Sequence, residues 1–157
     1  EIVAAGQPED DPIPLLEHYH RAAWVEADLD DEANVSIRDG AASSAEPGHA
    51  ALVDRLAEAL SDVRALLGSD PPAVVRIPWQ GWSLTLEDFL VTRMMELTVH
   101  SDDLAASVGV EPPTLPDEAL APVLRLLTAL AVRRHGQSAV VTALARAERA
   151  PSSIAAF

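Results

Sequence analysis

Four side chains in one segment carry the types and spacing that chemistry needs. Arg93, Glu96, His100 and Asp103 follow one another at intervals of three, four and three, so on an α-helix they form a single polar stripe. Glu96 and His100, four apart, meet above one turn. A carboxylate and an imidazole so placed can share one divalent metal ion, with a third ligand from a neighbouring helix. Asp103, a turn further on, can hold the imidazole or contact solvent and substrate from outside the coordination sphere. Arg93 can orient an anionic substrate or simply pair with Glu96. A hydrogen bond on a helix surface explains the Glu96–His100 pair as well, with no metal. The stripe adjoins an apolar one (Leu86, Leu90, Leu97, Leu104 and Val108) rather than opposing it. The charged groups are therefore expected to face a cleft beside the core, where charge is rarely retained without a partner.

The remaining histidines are weaker candidates. His18 and His20 are two apart, so they cannot both face one ion from a regular helix. His49 follows a glycine and is expected to begin a helix, and His135 sits beside Arg133 and Arg134 at a helix C-terminus, where positive charge is stabilising. No serine has the G-x-S-x-G context of a nucleophile elbow, and no glycine-rich phosphate loop is present.

The stripe belongs to a helix expected from Ser83 or Thr85 to Val108, with Glu87 and Asp88 at its start and Gly109 at its end. Its apolar residues lie nearly all round, which predicts a central position, packed by helices near 50–67 and 116–134. Leu52, Val53, Leu56, Leu60, Val63 and Leu67 give the first of these neighbours a clear apolar stripe. Pro116, Asp117 and Glu118 open the second. Before them, helical spacing runs from Leu15 to about Arg38, interrupted near DLDDEAN, and 39–48 has the composition of a loop. Residues 73–77 are short and β-branched and predict an extended segment. A last short helix is expected over 139–149, then an extended tail over 151–157. The class is predominantly all-α, most simply one helical-bundle domain over 1–157 in which 136–157 is a C-terminal extension. Glu1 to Gly6 has the pattern of a closing helical turn capped by glycine, so the bundle is expected to lack helices that precede residue 1.

Composition narrows the function. The 157 residues carry 25 Asp and Glu against 11 basic residues, all arginine, for a net charge of −14. That balance opposes nucleic-acid binding and docking on an anionic membrane. No apolar run reaches the roughly 18–20 residues of a membrane span. The absence of cysteine removes disulfides, thiolate ligands and a cysteine nucleophile, and fits the cytoplasm best.

The stretch from Trp82 to Ala105 (WSLTLEDFLVTRMMELTVHSDDLA) resembles the motif helix of the mycothiol-dependent maleylpyruvate isomerase family. The pattern R-x-x-E-x-x-x-H-x-x-D-L is met by Arg93, Glu96, His100, Asp103 and Leu104. The ending RRHGQSAVVTALARAERAPSSIAAF is similar to the tail of actinobacterial members. The resemblance is closest over 73–157. It implies a DinB-like four-helix bundle, a divalent metal, usually zinc, and the low-molecular-weight thiol mycothiol as cosubstrate. Glu96 and His100 map onto metal ligands, and a further histidine from the bundle's second helix, upstream of residue 1, completes the family's site. The reading that follows is a metal-dependent, mycothiol-using isomerase or S-transferase acting on a small electrophile. The alternative is a non-catalytic DinB-like module that binds metal or forms a homodimer.

Overall fold

Thr85 sets the start of the helix on which the hairpin and α5 pack. In the computed structural model, which describes residues 10–157 apart from 26 and 29, its Oγ1 accepts the backbone N–H of Asp88 at 3.0 Å. Glu87 and Asp88 add carboxylates at the positive end of the helix dipole. This helix, α4 (Leu86–Val108), ends at Gly109, whose left-handed φ of 71° lets its N–H turn back to the last carbonyls. At 23 residues it is the longest among the described residues.

Before α4 come α1 (Leu15–Arg21), a 3-10 turn at Ala23–Val25, α2 (Glu32–Ala45) and α3 (His49–Leu67). Strands β1 (Val74–Ile77) and β2 (Trp82–Thr85) follow, and α5 (Asp117–His135) and α6 (Gln137–Ala145) come after α4. The molecule is thus a predominantly α-helical bundle with one small hairpin. Among the described residues no helix is long and apolar enough to cross a membrane. The suggested helix end at 1–6 lies outside the described residues.

Two apolar clusters hold these elements. Tyr19 of α1, Met95 of α4 and Val123, Leu126 and Leu130 of α5 form the larger one. Val75, Ile77 and Leu84 of the hairpin close on Phe89 of α4 in the second. The hairpin pairs Val75 with Leu84 and Ile77 with Trp82, and Gly81 turns it at φ 81°. After α6, which packs on α5, the chain doubles back so that Ala155 O meets His135 Nε2 at 2.8 Å.

Several expectations are corrected here. The helical run over 15–38 is divided in two, as the interruption near DLDDEAN indicated, but the break comes earlier, with α1 ending at Arg21 and α2 beginning at Glu32; α2 then runs through 39–45, the stretch whose composition indicated a loop. Alanine and serine there are compatible with helix, and tertiary context rather than composition decides. Of the two helix starts expected, Thr85 is the cap of α4, whereas Ser83 lies in a strand, Trp82–Thr85, that gives 74–77 an antiparallel partner. The buried face of α4 is also not the leucine stripe. Phe89, Thr92, Met95 and Ala105 are buried, whereas Leu97, Leu104 and Val108 are exposed and Leu90 is half-buried. An all-round apolar helix has no unique moment, so the position of α5 and the hairpin selects the face. Finally, α3 packs chiefly against α2, not α4, and its apolar stripe stays between 38% and 55% exposed.

Thr85→Ala removes the cap of α4 and leaves the Asp88 N–H without its side-chain acceptor. It is expected to lower stability by about 1 kcal/mol, measured as a shift of the urea midpoint with unchanged slope.

Candidate functional site

The polar stripe of α4 runs along the edge of its buried face. His100 Nε2 lies 3.1 Å from Glu96 Oε2, and His100 Nδ1 lies 3.3 Å from Asp103 Oδ2. The contacts follow from the spacing, since side chains three and four apart share a helix face. Burial divides them: the Glu96 side chain is 31% exposed and lines a cavity, whereas His100 is 70% exposed. The expectation that both face a cleft holds for Glu96 alone, because no described element covers α4 on the side of Leu97, His100 and Leu104. Arg93 forms no ion pair with Glu96 among the described residues. Its Nε donates to Thr92 Oγ1 at 3.1 Å, and its guanidinium lies 5.6 Å from the centre of the Phe89 ring.

His100 is held between two carboxylates, one at each ring nitrogen. A neutral imidazole has one N–H and can donate to only one of them, leaving lone pairs opposed at the other. Imidazolium satisfies both. So does a cation bound at Nε2 and Glu96 while Nδ1–H donates to Asp103, the usual way a carboxylate orients a metal-bound histidine. The donor chemistry of the pair therefore fits two positions of a zinc site. Among the described residues, no group of three or more His, Cys, Asp or Glu side chains is placed to hold a metal.

On the inner side of Glu96 lies a cavity of about 60 Å³, walled by α1, the hairpin turn and α4. His18 lines it and is buried. The indole N–H of Trp82 donates to His18 Nδ1 at 3.1 Å. An indole can only donate, so Nδ1 must be unprotonated and the ring carries its proton on Nε2. His18 therefore cannot offer Nε2 to a metal while this bond stands. Burial, with help from the positive charge of Arg93, holds its pKa below the ordinary 6.5. Beside it the Tyr19 hydroxyl is buried with no hydrogen-bond partner among the described residues, a state that costs about 1–3 kcal/mol. Burial and then the Glu96 charge keep this phenol protonated well above the usual tyrosine range.

Sequence reasoning set His18 among the structural histidines and did not single out Tyr19. The overlooked signal is the aromatic count. The chain has six Phe, Trp and Tyr residues, and all six gather here. Tyr19, Trp24, Trp79 and Phe89 line the cavity, Trp82 bonds His18, and Phe157 rests on Tyr19 and Trp24 at 6.1 and 5.2 Å. The other histidines stand as expected: His20 is exposed, His49 begins α3, and His135 closes α5.

The arrangement on α4 meets a known pattern: the profile of the mycothiol maleylpyruvate isomerase N-terminal domain matches residues 1–105. The chain belongs to this family. The match spans both Glu96 and His100 and ends before α5, so the family relation covers the first part of the chain, where the resemblance read from the motifs was looser. No curated protein and no solved structure matches significantly.

His18 gives a pH prediction. Its pKa is lowered by folding, so below about pH 6.5 the unfolded state takes up a proton that the native state resists, and stability falls as pH drops. Protonation also sets an N–H against the Trp82 N–H. His18→Gln is expected to flatten the loss of thermal stability between pH 7 and pH 5, measured by circular dichroism melts. An unchanged slope contradicts it.

Proposed function

We propose that this domain serves a mycothiol-using, metal-dependent isomerase or S-transferase acting on a small electrophile, with Glu96 and His100 holding a divalent metal, zinc above all. The observation that carries this reading is the position of His100 between two carboxylates, whose contacts a cation at Nε2 reconciles. Zinc bound there would lower the pKa of a thiol it binds, so that thiolate is available near neutral pH. The chain itself has no cysteine, so the nucleophilic sulfur comes from the cosubstrate. Asp103 accepts the Nδ1–H of His100 and fixes the ring with Nε2 toward Glu96. Arg93, on the turn before Glu96, orients an anionic part of the substrate. A cytoplasmic setting, where small thiols stay reduced, belongs to the same proposal.

A second reading, a non-catalytic module that dimerises, is favoured by one observation, the exposed apolar stripe of α3. Metal analysis separates the two. Dialysed against zinc, the full-length protein is expected to retain one equivalent, and its His100→Ala variant to retain none while its helical circular dichroism is unchanged, because His100 is exposed. With mycothiol and an electrophilic acceptor, the same variant is expected to lose thiol-dependent turnover. Stoichiometric zinc in the variant overturns the metal assignment.

A further inference from the structure

We propose that residues 151–157 form a strap that opens and closes on the folded body, and that the closed strap holds Trp24 in the wall of the cavity beneath Glu96. The inference goes beyond the proposed function and needs no metal at Glu96 and His100.

The strap has a defined seat. Residues 151–157 belong to no helix or strand, yet they fold back along α5 instead of leaving the body. Ala156 packs on the larger apolar cluster, and Ile154 is half-buried. Ala155 O can only accept, so His135 Nε2 carries a proton and donates to it at 2.8 Å. That tie fixes the register of the strap on α5. The Phe157 ring then meets Tyr19 at 6.1 Å and Trp24 at 5.2 Å, tilted by 41° and 42°. Tyr19 and Trp24 both line the cavity beneath Glu96, and Phe157 does not. Phe157 therefore supports two wall residues from outside the cavity.

The seat is loosely filled. Clefts of about 320 and 380 Å³ lie beside the strap, and Ala156 borders both. One reaches Val25 and Leu130, the other Val99, Leu127 and Val140. A packed interior leaves few voids larger than a water molecule, so the strap under-fills its groove. Residues 151–153 are exposed, and Phe157 keeps 37% of its surface. Segments with so few buried contacts open at far less cost than the whole fold. The floor is different, because Leu130 and Val123 are 3% and 0% exposed in the cluster that joins α1, α4 and α5. The groove thus stays formed when the strap lifts. Trp24, on the 3-10 turn Ala23–Val25, then keeps one aromatic neighbour among the described residues, Tyr19 at 6.2 Å. Release of the strap frees Trp24 to swing and widens a cavity of about 60 Å³.

Nuclear magnetic resonance of the full chain and its Phe157→Ala variant tests the device. In the variant the Trp24 indole and the Ile154 methyls are expected to show relaxation dispersion with one shared rate and population, on the μs–ms scale. The methyls of Leu84 and Val123, both 0% exposed, are expected to show none. Loss of the two ring contacts is expected to raise the open population about tenfold over the parent, and Phe157→Tyr, which keeps the ring, to restore the parent value. A soluble paramagnetic agent is expected to broaden the Leu130 methyls on the groove floor more in Phe157→Ala than in the parent, and those of Val123 equally in both. A flat Trp24 profile in Phe157→Ala, or different rates at Trp24 and Ile154, overturns the coupling of strap to wall. Broadening that rises at Val123 as much as at Leu130 means that the whole core has loosened, and it overturns a local strap. None of these readouts depends on zinc, so they stand or fall apart from the proposed function.

Discussion

The indole of Trp82 has a hydrogen to give and nothing with which to accept one, and its bond to His18 constrains the centre of the molecule. It joins β2 to α1, two elements that share no sequence neighbourhood, and dictates where the imidazole keeps its proton. The bond exists only because both elements are independently seated on α4. The hairpin is pinned by Val75 and Leu84 against Phe89, and α1 by Tyr19 against Met95 and the α5 residues. The cavity is the space left where these two packed clusters meet, so its shape is inherited from the core. Ile13 N–H donating to Ser83 O at 2.9 Å repeats the same tie through the backbone, just ahead of α1.

What could be read from the sequence divides along the range of the interactions involved. Helix ends were legible because their signals are local: Thr85 with Glu87 and Asp88, Gly109, Pro116 with its two acids, and Gly136 mark α4 and α5 to within a residue or two. The contacts of His100 with Glu96 and Asp103 were legible for the same reason, being a matter of helical repeat. The buried face of α4 was not, because leucine, valine and methionine occupy almost every direction and only the placement of α5 chooses among them. Nor was the bond between Trp82 and His18, residues 64 apart, to which no periodicity points. The segment 39–45 shows the opposite failure: its local composition is nearly neutral, so a weak indication of loop gave way to helix.

Charge acts on two scales in this molecule. The net −14 spread over the chain repels anions at long range. At the edge of α4 charges of both signs stand close together instead: the exposed Arg93 guanidinium lies over the Phe89 ring, and the Glu96 carboxylate follows one turn on. The separation of scales matters because salt screens the distant field within about 8–10 Å while leaving a contact pair largely untouched.

The meeting of Phe157 with Tyr19 and Trp24 joins the two ends of the described chain. Contacts between residues so far apart form only after the intervening loop entropy has been lost, so they belong late on the folding route. The helices can form from their own turns, and α4 can collect α5 through a short connection, before the aromatic wall exists. Interactions made after the transition state slow unfolding without speeding folding. The tail that completes the aromatic cluster therefore governs how long a folded molecule survives more than how quickly it is made.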